Sequence, residues 1–201
     1  MVRWNGDKQY LRELADKGVP AIPTLWFDDA GRSEIAIALD AFQTDRVIVK
    51  RQIGAGGLGQ HSFTRDALPE SGWRMGQPAM IQPFLPSVVE EGEYTFVFID
   101  GAFSHGVLKR AAQGEYRIQS LYGGREENYL PAPADLARAQ DVVDALPFSD
   151  LLYCRIDMAR LPTGELAVME AEAIEPYLYP EQGPDLGERL ARAVKRRLRA
   201  S

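Results

Sequence analysis

The stretch Val47 to Gln60, VIVKRQIGAGGLGQ, constrains the chain more than any other. Val47-Ile48-Val49 is a β-branched run suited to a buried strand, and the lysine directly behind it is not a core residue. Lys50 is a charge placed at the mouth of a loop. Gly54, Gly56, Gly57 and Gly59 leave that loop nearly bare of side chains, so its backbone N–H groups can close over a phosphate with Lys50 as the point charge. The order matches neither common phosphate loop. The lysine precedes the glycines, and His61-Ser62-Phe63-Thr64 does not open the helix that a dinucleotide fingerprint requires. A plain hairpin with a mobile glycine loop fits the same residues.

Composition narrows the partners. A chain of 201 residues can bury a substantial core, as one domain or as two lobes. Its net charge of −6 disfavours nucleic acid, so any phosphate must be held by locally placed cations. Cys154 is the single cysteine, which excludes an internal disulfide and fits a reducing compartment. No apolar run approaches the roughly 20 residues that span a bilayer, and MVRWNGDK lacks a signal-peptide core. The expectation is a cytoplasmic protein with neither a membrane nor a nucleic-acid partner.

Along the chain, Asn5 is placed to cap a helix over residues 6–17 that Gly18 ends. Residues 19–27 read as an extended edge segment with two prolines, and residues 33–42 as a short helix with Ile35, Leu39 and Phe42 inward. Residues 63–76 look polar and irregular, 78–82 form a strand, and Pro83 and Pro86 mark a linker. Asp100-Gly101 is a strong hairpin signal between strands 94–99 and 102–109, with a third strand expected at Tyr116 to Leu121. A helix over 135–146, strands over 151–161 and 165–171, and a helix over 185–199 complete an α+β chain. The last helix carries Leu186, Leu190, Val194 and Leu198 as its expected core stripe.

The second informative element is the late hairpin. Strand alternation puts Arg155 with Asp157 on one face, and Glu170 with Glu172 likewise, so four charges can converge. Three carboxylates raise one another's pKa, and a divalent cation relieves them; oxygen-only ligands suit Mg2+ beside nucleotide phosphates. Cross-strand ion pairs on a solvated hairpin are the alternative.

A lysine before a glycine loop, a proline-bounded linker and a distal carboxylate hairpin, in that order, resemble the ATP-grasp superfamily. The likeness is to the branch of glutathione synthetase, RimK-type ligases, D-alanine:D-alanine ligases and the D-cycloserine ligase, and it runs from about Trp4 to Pro176. It implies two lobes with mostly antiparallel sheets, residues 1–82 and 83–201, enclosing a nucleotide cleft. It further implies that Lys8 and Lys50 bind phosphates, that Gly54, Gly56, Gly57 and Gly59 cover them, and that Gln82, Pro83, Phe84 and Leu85 meet the adenine. Glu93 would hold the ribose, and Arg110, Arg117 and Arg155 would meet phosphate or substrate. Asp157, Glu170 and Glu172 would hold Mg2+.

The implied activity is ATP-dependent ligation of a small-molecule carboxylate to an amine through an acylphosphate. An ATP-binding module that has lost ligation is the alternative. Two departures stand out: Glu170-Ala171-Glu172 replaces the usual Glu-x-Asn, and the α/β domain that normally precedes the position of Trp4 is absent from this sequence. The second points to a fragment or to a reduced member whose acceptor site is completed by a homodimer or another chain. Lys50→Ala and Asp157→Asn are expected to impair nucleotide binding while sparing the fold.

Overall fold

The computed structural model describes residues 1–54, 56–112 and 123–200. Its fold is α+β, built on two antiparallel sheets. The first holds β1 (Leu25–Phe27), β2 (Arg46–Arg51), β3 (His61–Thr64) and β4 (Ala79–Pro83) in the order β1-β4-β2-β3. The glycine loop is therefore the connection of the β2–β3 hairpin, with Val49 opposite His61 and Val47 opposite Phe63. Phe63 and Thr64, at the start of the segment expected to be irregular, form a strand with His61 and Ser62 because β2 pairs them across the loop, and Phe63 stacks edge-on against Trp73. Helix α3 (Arg32–Ala41) covers this sheet with Ile35, Ala38 and Leu39, which close a core with Val47, Val49, Ala79 and Ile81. Its first turn is fixed by the Gly31 N–H donating to the Glu34 carboxylate at 2.7 Å.

The second sheet runs β7-β6-β5-β8-β9, with β5 Glu93–Ile99, β6 Ala102–Arg110, β7 Arg125–Tyr129, β8 Tyr153–Arg160 and β9 Leu166–Glu172. Asp100 and Gly101 both take positive φ, the geometry of the tight turn that their sequence announces. Strand β7 was not foreseen, and Tyr116 to Leu121 lie outside the described residues. One face of the sheet buries Phe96, Phe98, Ile156 and Met158 against α5 (Pro133–Ala145) and against Tyr10, Leu11 and Leu14 of α2 (Tyr10–Asp16). Each such fully buried side chain contributes roughly 1.5–3 kcal/mol.

Three expectations change for physical reasons. The first helix is split into α1 (Val2–Asn5) and α2, because Asn5 is spent elsewhere: its amide donates to Ala171 O at 2.6 Å and accepts from Ala173 N–H at 2.7 Å, bonding to β9 and the residue just beyond it. The proline linker is short, since Pro86 opens α4 (Pro86–Glu90) at the first-turn position that suits proline. In α6 (Leu186–Ala200), Leu186 and Ala193 are buried while Val194 and Leu198 are exposed. A repeat of four advances about 40° per step around a helix of 3.6 residues per turn, so the predicted stripe rotates out of the core.

Candidate active site

Register across the second sheet writes the site. Glu126 of β7 stands opposite Lys109 of β6, which stands opposite Glu93 of β5. One step along, Thr95 of β5 faces Asp157 of β8, which faces Glu170 of β9, and Arg155 faces Glu172. A bulge between Asp157 and Met158 leaves Met169 without a partner, so Met169 and Glu170 both turn toward the cleft. Without that extra residue Glu170 of β9 would not stand opposite Asp157 of β8.

Asp157, 2% exposed, is the hub. It accepts from Thr95 Oγ1 at 2.6 Å, from Lys109 Nζ at 3.1 Å and from Arg155 at 2.9 Å. Lys109 also pairs with Glu93, and Arg155 with Glu172. Burial opposes ionisation of Asp157, yet Arg155, Lys109 and the Thr95 hydrogen bond overcome it and lower the carboxyl to about 2. Burial dominates at Glu93 and Glu172, raising both to about 7 against the pull of Lys109 and Arg155 respectively. Ligand oxygens of Asp157, Glu170 and Glu172 lie within 4.8 Å of one another, a donor set that fits a hard divalent cation.

These groups line a cleft of about 570 Å3, within the range of small-molecule sites. Ile22, Ile48, Met80, Leu85, Val88 and Met169 give the cleft its apolar walls. Lys8, Lys50, Gly54, Gly56 and Gly57 line it as well. Lys50 is part-buried and makes no hydrogen bond or ion pair among the described residues; burial lowers its pKa, with Glu170 and Glu93 offsetting part of the effect. Lys8 is paired with Glu170 at 2.9 Å.

Of the residues singled out from sequence, Lys8, Lys50, Gly54, Gly56, Gly57, Gln82, Pro83, Phe84, Leu85, Glu93, Arg155, Asp157, Glu170 and Glu172 all line the cleft. Gly59 does not: its φ of +67° turns it beneath the Arg51 guanidinium, where a Cβ would sit 2.5 Å from Nε. Arg110 is not brought there either. Alternation along β6 sends it to the other face, where it meets Glu127 at 3.3 Å and the Glu91 carbonyl, and Lys109 takes the inward position. Arg117 lies outside the described residues. Sequence reasoning missed Lys109, Glu126, Tyr177 and Tyr179. Tyr179 is buried with a φ of +50°, a rare conformation for a bulky residue, and its ring lies 5.7 Å from the Arg155 guanidinium. The signals available were the lysine adjacent to Arg110 and two tyrosines just past the carboxylate hairpin.

No protein-family model matches the chain. Over 219 aligned positions it is 30% identical to the cycloserine biosynthesis protein DcsG of Streptomyces lavendulae, covering 99% of this chain and 72% of that protein. The crystal structure of D-cycloserine synthetase DcsG superimposes with a TM-score of 0.84 and 28% identity, over 98% of this chain and 71% of that one. The chain belongs to the ATP-grasp ligases. Its activity class is ATP-dependent ligation of a carboxylate to an amine. The fold is shared more widely within the superfamily. The ATP-grasp ligase PsnB gives a TM-score of 0.66 at 17% identity over 96% of this chain and 60% of its own. The D-alanine–D-alanine ligase from Bacillus anthracis gives 0.66 at 18% identity over 98% and 70%. Among the described residues, no helix of this ATP-grasp chain is long and apolar enough to cross a membrane.

Proposed function

We propose that the cleft binds ATP with Mg2+ along its length and joins a small-molecule acid to an amine at the carboxylate end. The observation that carries this reading is the Lys50 ammonium, part-buried and with no hydrogen bond or ion pair among the described residues, beside a glycine loop and near the carboxylates of Glu170 and Glu93. A buried cation of this kind is costly unless an anion meets it, and a polyphosphate under the loop supplies one. Beside the apolar walls, the Phe84 N–H is taken by Arg46 O at 2.9 Å, whereas the Leu85 N–H has no partner among the described residues and is the donor left for the base. The division into lobes at residues 82 and 83 follows as part of the same proposal.

Asp157, Glu170 and Glu172 would hold the Mg2+, which supplies charge neutralisation at the terminal phosphate. The remaining work falls to fixed protein charges. Arg155 is locked by Asp157, Glu172 and the Tyr177 carbonyl, so its orientation is set before a phosphoryl group arrives. Lys109 stays protonated between Glu93 and Asp157, which hold its pKa above the ordinary lysine range. Positioning and electrostatics of this sort suffice for phosphoryl transfer to a carboxylate, and no nucleophilic side chain is required.

The test is ADP release from Mg-ATP in the presence of paired acids and amines. D-amino acids come first, because relatives include a D-alanine–D-alanine ligase and a D-cycloserine synthetase. Turnover that requires both an acid and an amine supports the reading. Turnover indifferent to both, with no coupled product by mass spectrometry, refutes it.

A further inference from the structure

Lys8 stands between two groups that the nucleotide reading assigns to different ligands. Its Nζ lies 2.9 Å from Glu170 Oε1 on β9 and donates to Gly54 O, at the start of the glycine loop, at 2.6 Å. Its backbone N–H is held by Gln52 O at 3.0 Å, just beyond β2, so only the side chain is free to swing. The ammonium thus ties the glycine loop to one carboxylate of the candidate metal set. This pair is more open to water than those around Asp157: its side chains are 14% and 30% exposed, against 9% and 3% for Arg155 with Asp157. A contact open to water exchanges partners with little desolvation cost, whereas the pairs around Asp157 do not.

Charge balance points the same way. Five basic and five acidic side chains line the cleft among the described residues. A divalent cation alone or a polyphosphate alone upsets that balance, and the two together upset it much less.

We propose that Lys8 is a partner-exchanging latch that makes metal binding depend on nucleotide. In the ligand-free protein it neutralises Glu170 and holds the loop at Gly54; when a nucleoside polyphosphate enters, the ammonium turns to the phosphates and leaves Glu170 to the cation. This rests on the nucleotide reading above. It requires that metal and nucleotide strengthen each other's binding by the same factor, with Lys8 as the carrier of the coupling.

Calorimetric titrations of the full chain with Mg2+ alone, with ADP in EDTA, and with ADP in excess Mg2+ test the latch. Lys8→Met is expected to tighten binding of Mg2+ alone by about tenfold while weakening Mg-ADP by about tenfold or more. Glu170→Gln is expected to tighten metal-free ADP by about tenfold, since it frees Lys8, while losing Mg2+. Gains of affinity do not come from a damaged fold, so each variant carries its own control. If either gain is missing while the wild-type chain binds Mg-ADP, the latch is overturned and the nucleotide site stands. A wild-type chain that binds no Mg-ADP overturns the nucleotide site and the latch with it.

Discussion

Lys50→Met is expected to move stability and ligand response in opposite directions. The wild-type ammonium sits part-buried without an ion pair among the described residues, and burial lowers its pKa despite Glu170 and Glu93 nearby. Methionine keeps most of the aliphatic stem and removes the desolvated charge, which relieves about 1–3 kcal/mol if water reaches the group poorly. A change of 1 kcal/mol moves Tm by roughly 2–4 °C at this chain length, so the unliganded variant melts at least a few degrees higher. Ligand response falls at the same time. At a hundredfold excess over Kd, Mg-ADP stabilises the wild-type chain by about 2.7 kcal/mol. A hydrogen bond from a charged donor to phosphate is worth about 1.5–3 kcal/mol, so its loss raises Kd by about one to two orders of magnitude. The same Mg-ADP concentration then stabilises the variant by only about 0.3–1.3 kcal/mol. Differential scanning fluorimetry with and without Mg-ADP reads both quantities. A variant that melts lower without ligand yet keeps the full Mg-ADP shift refutes the assignment, because Lys50 would then serve the fold and not the phosphates.

Asp157→Asn should destabilise the unliganded chain by about 1–3 kcal/mol in urea denaturation, because Lys109 and Arg155 lose the buried carboxylate they share and keep only Glu93 and Glu172. A midpoint matching wild type would show that this network relaxes into solvent; the sequence-based expectation that this variant spares the fold is revised accordingly. Cys154 is 2% exposed and burial pushes its thiol up to about 12, so Ellman's reagent should leave it unmodified in native buffer and titrate one thiol in denaturant. Rapid native labelling would contradict its placement in the core. His105 accepts burial with Nε2 against Leu178 O at 2.9 Å and Nδ1 against Ser104 Oγ at 3.0 Å, and burial lowers its pKa, with Arg189 adding repulsion. A folded-state pKa below the unfolded one favours the neutral ring, so its stabilising contribution is full above about pH 6.5 and is lost as pH falls further. His105→Gln should flatten that part of the stability profile in urea titrations between pH 7 and 5, and an unchanged slope would remove His105 as the source.

The placement of site residues divides along the range of the interactions that fix it. Strand alternation depends only on local backbone geometry, so the pairs Arg155 with Asp157 and Glu170 with Glu172 were legible as shared faces before any tertiary contact. The turn at Asp100-Gly101 and the loop of Gly56, Gly57 and Gly59 were legible for the same reason, since positive φ is written into the residue type. The inward choice between Lys109 and Arg110 was not, because Val107 and Leu108 are both apolar and leave the parity of β6 undetermined; pairing with Glu93 on β5 decides it. The bulge that brings Glu170 opposite Asp157 was likewise invisible, being set by how β8 and β9 pack. So was the partnership of Lys8 with Glu170, two residues 162 positions apart that meet only when the chain end closes over the second sheet. By itself the sequence determined which chemistry the chain carries and which residues share a strand face. Only the tertiary structure decided which charges meet, because register and desolvation are set by neighbours distant along the chain.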